Sequence, residues 1–216
     1  MTNYYYIIAS LPAITRDWKF GDRTAEGLIG EIKGLSTPRD LAAISFIESG
    51  FKDDNLDIDF YRKALSFKNP FIREYYTFDL NVRNAKARYL NRALGREEDR
   101  DVLRMDGGDG NRTASFEEAA RLEAILNDRD ILARERAIDS LYWEKLDAMT
   151  VQHYFDMDVI LAFILKLHII DRWHQLDEET GREMFRKLVN EVKATFKGVE
   201  YNPERSDRTD NNIKQQ

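Results

Sequence analysis

The 216-residue chain has no cysteine, which excludes disulfide frameworks, thiolate metal sites and cysteine nucleophiles and suits a reducing compartment. It lacks a basic block as well. Its 33 lysines and arginines are outnumbered by 39 aspartates and glutamates, giving a net charge of −6, so a general electrostatic grip on nucleic acid is not indicated. The opening residues "MTNYYYIIASLPAITRDW" carry no basic start and their apolar run stops at Pro12, unlike a signal peptide. A cytoplasmic protein is expected.

A long uninterrupted apolar run is missing too. The most apolar stretch, "YFDMDVILAFILKLHIIDRW" from Tyr154 to Trp173, is unbroken only from Val159 to Leu165 before Lys166, His168, Asp171 and Arg172 intervene. A spanning helix needs about 20 mostly apolar residues, and each charge at mid-bilayer costs about 2.5–3.5 kcal/mol. A helix surrounded by other helices is the expectation. With 43% hydrophobic residues the chain has the material for such a core.

What is present is helical pattern. Thr37-Pro38 offers a cap and a first-turn proline before "RDLAAISFIES", which Gly50 ends. "TAEGLIGEIKGL" has helical spacing despite three glycines, and "NLDIDFYRKALSF" precedes a break at Asn69-Pro70. A long amphipathic run then spans Phe71 to Leu94, ended by Gly95. "GREEDRDVLRMDGGDGNRT" reads as a loop, and Ser115 with Glu118 as a capping box. Helices are expected from there to about Phe196. "YYYIIASLP" stays open between helix and strand. The spacing thus predicts an all-α bundle in one domain over residues 1–197, with a flexible tail over 198–216.

"FDLNV" at Phe78–Val82 recurs as "FDMDV" at Phe155–Val159, 77 residues later. Aspartate followed by Asn or Asp suits a helix start, because short oxygen acceptors bind free N–H groups at the positive end of the dipole. Each copy is expected to open a helix, at 78 and at 155, as an internal duplication.

Catalytic signatures are scarce. "DGGDGNRT", Asp106–Thr113, lacks the lysine and spacing of a phosphate loop and the ligand positions of a calcium loop. His168 and His174 lie about 240° apart round a helix, so they face different sides; His153 with Asp156, three residues on, is a pair common at capped helix starts. Trp18, Trp143 and Trp173 are core or interface anchors. No catalytic, cofactor-binding or metal residue is assigned, and a non-enzymatic scaffold is favoured.

Three segments carry a resemblance: "NYYYIIASLP", "NPFIREYYTFDLNVRNAKARYLNRALG" and "ERAIDSLYWEKLDAMTVQHYFDMDVILAFILKLHIIDRW". Together they resemble a bacterial family encoded alongside V/A-type ATPase components and similar to the C-type stalk subunit of those enzymes, known as the d-type in eukaryotes. The resemblance implies a socket of repeated helical units that links the central stalk to the membrane rotor ring, with no catalytic residues and no cofactor. It also implies a place at the inner face of the membrane, reached only through the complex. The departure is length, since the C-type stalk protein has three such units and this chain has room for about two. Partner contact is then expected on the basic side of the first repeat helix, Arg83, Lys86, Arg88 and Arg92, with Tyr75 and Tyr76 near its start. The alternative is a helical enzyme or ligand-binding protein with His153, Asp156 or Asp158 turned into a polar pocket. A nucleic-acid module using the arginine face is a third reading.

Overall fold

A computed structural model describes residues 4–105 and 117–175. Among these residues there are eight α-helices and no strand, which is the all-α helical-bundle class expected from the spacing. They are α1 Tyr4–Ser10, α2 Ala25–Gly34, α3 Pro38–Ser49, α4 Ile58–Leu65, α5 Pro70–Ala93, α6 Ala119–Leu126, α7 Ile131–Thr150 and α8 Met157–Gln175, with a 3-10 turn at Asp53–Asn55. The chain divides into a unit of residues 1–171 and a second of residues 172–216. Of the second unit only the last turn of α8 is described. The tail, the Asp106–Thr113 loop, Ser115 and the helices expected beyond Gln175 lie outside the described residues.

Short polar side chains set the helix starts. Thr37 and Asp40 form a reciprocal box at α3: the Asp40 N–H donates to Thr37 Oγ1 at 3.4 Å and the Thr37 N–H donates to Asp40 Oδ2 at 3.2 Å. Tyr4 of α1 donates to the other oxygen of Asp40 at 2.9 Å, so the cap of one helix also moors another. That contact, with Ile7 buried in the core, resolves "YYYIIASLP" as a helix. Asn69 Oδ1 accepts from the N–H groups of Phe71 and Ile72 at 2.7 and 3.3 Å and starts α5 just before Pro70. At its far end Gly95 has φ +65°. The Gly95 N–H reaches Arg92 O at 3.1 Å and the Arg96 N–H reaches Asn91 O at 2.8 Å, which closes α5 with a left-handed glycine. Glu118, expected within a capping box, stands before α6 and makes no side-chain cap bond.

The internal duplication needs correction at its first copy. Phe78–Val82 does not open a helix; it lies in the middle of α5, because Asn69-Pro70 has already started that helix. Only the second copy sits at a start. There Asp156 Oδ1 accepts from the N–H groups of Asp158 and Val159 at 3.1 and 3.3 Å.

Side chains from α1, α2, α3, α4, α5, α7 and α8 meet in one core, while Phe78, Val82, Leu122, Leu126, Ile138 and Leu141 of α5, α6 and α7 form a second. α8 is the beam of the first. Its Ile160, Leu161, Ile164 and Leu167 are fully buried, and each such side chain is worth about 1.5–3 kcal/mol of transfer free energy. Lys166 leaves this helix sideways to Asp147 at 2.5 Å, passing over the Trp143 ring, and His168 stacks on Phe51 with centroids 3.9 Å apart. Among the described residues no helix is long and apolar enough to cross a membrane.

An aromatic nest closes the α3 end of the core. Phe46 stacks on Phe60 at 5.0 Å, and Tyr76 meets both rings edge-on. Gly50 abuts it, and a Cβ there would run into the Tyr76 hydroxyl while standing 3.0 Å from Phe60. Tyr76 is only 2% exposed and cannot swing away. Gly50→Ala is therefore expected to cost about 1–3 kcal/mol by overpacking, read as a lower urea midpoint with unchanged slope. An unchanged midpoint would mean the nest gives way freely.

Candidate functional site

The strongest polar constellation is built around Asp79, in the middle of α5 and 5% exposed. Tyr61 of α4 donates to Asp79 Oδ2 at 2.5 Å, and Tyr142 of α7 donates to Oδ1 at 2.7 Å. Arg83, one turn along α5, adds its Nε at 3.1 Å from Oδ2 and extends Nη2 to Asp53 Oδ1 at 2.9 Å. One carboxylate thus ties α4, α5 and α7 together, and through Arg83 the 3-10 turn. A buried carboxylate persists when its charge and lone pairs are met, as they are here.

The electrostatics follow. Burial, then the Asp79 charge and hydrogen bond, raise the Tyr61 pKa far above its ordinary value, and burial with Asp79 does the same for Tyr142. Burial alone would lower the pKa of Arg83, but the Asp79 charge together with Tyr61, the hydrogen bond to Asp53 and Tyr142 outweighs it and holds the guanidinium ionised. These hydroxyls stay protonated donors and the arginine a fixed cation, a set suited to holding helices and unsuited to proton transfer near neutrality.

The four basic residues expected to form a partner surface are largely engaged by the chain itself. Arg83 holds Asp79 and Asp53; Arg88 holds Asp99 at 2.9 Å; Arg92 holds Glu98 at 2.6 Å and approaches Glu123 at 3.7 Å. Bonds between Asn84 and the backbone of Leu103, both 3.0 Å, and from Asn91 to Glu98 O fold residues 95–105 back along α5. This side of α5 is the berth of the following loop. Lys86, by contrast, makes no ion pair with any described residue. Tyr76 is corrected from surface contact to core: it is buried among Phe46, Phe60 and Tyr75. Tyr75 is partly buried, its ring between Tyr76 and Tyr142.

His153, Asp156 and Asp158 do come together, with potential ligand atoms within 4.8 Å of one another. His153 Nδ1 lies 2.5 Å from Asp156 Oδ2 and 3.8 Å from Asp158 Oδ2, while Asn69 Nδ2 donates to Asp158 Oδ1 at 3.0 Å. The group is partly exposed at the start of α8. The positive end of a helix dipole favours these carboxylates and disfavours a metal cation. The pairing of His153 with the two aspartates, and of Asn69 with Asp158, accounts for these contacts.

The hydrogen bond to Asp156, helped by both aspartate charges, raises the His153 pKa above its usual value. A group whose folded pKa is raised stabilises the fold below its unfolded pKa, about 6.5, and loses that contribution as pH rises through the folded value. The stability gap between the wild type and His153→Gln should therefore be larger at pH 5.5 than at pH 8.5. Paired urea titrations check this, and a gap independent of pH would dissolve the pairing.

The described residues thus define an all-helical protein with a closed, internally satisfied polar cluster. Residues 48–196 match the family model described as "Protein of unknown function (DUF2764)", and the chain belongs to that family. No curated protein and no solved structure matches it. Sequence reasoning missed Tyr61 and Tyr142 as partners of Asp79, and Asp53 as a partner of Arg83. The available signal was an aspartate flanked by Phe78, Leu80 and Val82 deep inside an apolar run, with an arginine four residues on.

Proposed function

We propose that the chain is a non-catalytic adaptor of a V/A-type rotary ATPase, coupling the central stalk to the membrane rotor ring during ion transport. The observation that carries the non-catalytic part is Asp79. This buried carboxylate has both oxygens taken by Tyr61, Tyr142 and Arg83, and its chemistry is spent on joining helices. Function then rests with surfaces. The resemblance of Phe78–Gly95 and Ala137–Trp173 to the C-type stalk protein supplies the assembly, and a position peripheral to the inner membrane face follows from it.

One observation favours the alternative of a helical enzyme or ligand-binding protein, the convergence of His153, Asp156 and Asp158. Their mutual pairing and partial exposure weigh against it.

The test is a mild-detergent affinity purification of the tagged chain from its native cell with quantitative mass spectrometry. Rotary ATPase stalk, ring and head proteins in stoichiometric amounts are the expected result. A chain that comes out alone overturns the proposal and turns attention to ligand screening.

A further inference from the structure

α5 and α7 run antiparallel, pinned by Lys145 on Glu74 at 2.9 Å and Tyr142 on Asp79 at 2.7 Å. In the first half of α5, Ile72, Tyr76 and Asp79 point into the core that α4 and its neighbours complete. The last tie across this face is Arg83 on Asp53. Beyond it the same stripe continues at helical spacing through Ala87, Leu90 and Leu94. Leu90 is 54% and Leu94 60% exposed.

α7 repeats the pattern. Its inward stripe of Leu146, Tyr142 and Asp139 extends toward the N-terminus through Glu135 to Leu132 and Ile131, which are 56% and 66% exposed. The register of the two ties places Ile131 about level with Leu90, and Glu135 about level with Lys86. Among the described residues, Leu90, Leu94, Ile131 and Leu132 thus carry the two stripes past the Arg83 tie as exposed apolar side chains. Lys86 and Glu135, one on each helix, have no ion-pair partner among the described residues.

We infer that this face receives one amphipathic helix of another protein. That helix is apolar on its buried side, with an acidic group toward Lys86 and a basic group toward Glu135. The stripe from Arg83 through Ala87 and Leu90 to Leu94 is about 16 Å long, which corresponds to about three turns. The mode is a helix laid into a two-helix groove. The face continues a seam that already accepts a helix within this chain, and the opposite charges on its two sides set the chemistry of the occupant. The inference stands on this surface and does not need the rotary-ATPase reading.

The probes are stapled three-turn peptides sharing one leucine face and differing in their flanks: one acidic and one basic, both acidic, or both basic. Fluorescence anisotropy with the full chain should show saturable binding, tightest for the mixed peptide and at least tenfold weaker for Leu90→Glu/Leu94→Glu. Both leucines are exposed, so this variant should keep the wild-type circular dichroism and urea midpoint. Lys86→Glu should shift preference to the all-basic peptide and Glu135→Lys to the all-acidic one. Binding unchanged by the double leucine variant, or no binding by any peptide, overturns the inference. So does sedimentation velocity showing a dimer that Leu90→Glu/Leu94→Glu dissolves, because the occupant would then be a second copy. Failure of the affinity purification leaves these readings untouched.

Discussion

Asp79→Ala is expected to lower stability by about 3–5 kcal/mol, because removing one partner of a buried ionic set leaves the others uncompensated. Tyr61 and Tyr142 would each hold a hydroxyl in apolar surroundings with its acceptor gone, and Arg83 would lose the buried one of its two carboxylates. Asp53 and solvent still reach that guanidinium, which is 38% exposed, so the arginine contributes less than a fully buried one would. Tyr142→Phe removes a single hydrogen bond to a charge and should cost about 1–3 kcal/mol. A double-mutant cycle between positions 79 and 142 should give a coupling of about 0.5–3 kcal/mol, since the two groups touch. Equilibrium urea unfolding of the four proteins reads all of these. Were Asp79→Ala within about 0.5 kcal/mol of wild type, a typical tolerance for surface changes, the cluster would be a passenger and the joint between α4, α5 and α7 would rest on packing alone.

The same cluster marks where the sequence stops being informative. Starts and stops of helices are local events, and they were legible: Thr37-Pro38 with Asp40, Asn69-Pro70 and Gly95 all act where their chemistry says they should. The apolar stretch after Asp158 was legible as a buried helix because charges interrupt it too often for a bilayer and too rarely for a surface. Asp79 misled because the motif around it imitates a helix start; its role depends on Tyr61, 18 residues before it, and Tyr142, 63 residues after it. Such distances are set by packing, and no periodicity reports them. The basic side of α5 misled for a related reason. Spacing placed Arg83, Arg88 and Arg92 on one helix, but their carboxylates Asp53, Asp99 and Glu98 lie in the connecting segments, whose paths a helical pattern does not encode.

Leu161→Ala tests the reading of α8 as a structural beam. Leu161 is wholly buried in the first core, between neighbours at Ile160 and Ile164 that are themselves at 0% exposure. Truncation forfeits the transfer free energy of the lost carbons and leaves a cavity that a close-packed surround can only partly fill, for a cost of about 2–5 kcal/mol. For a protein of this size that is about 4–20 °C in melting temperature. Lys166→Met, five residues on, is the contrast. It removes the pair with Asp147, whose side chain is 58% exposed, and the Lys166 stem can be replaced by methionine along Trp143, so a change below about 1 kcal/mol is expected. The pair of results separates two roles on one helix. A large loss at Leu161 with little at Lys166 makes α8 a core element whose few charges are edge fittings. A larger loss at Lys166 would instead make the Lys166–Asp147 bond the feature that seats α8 against α7.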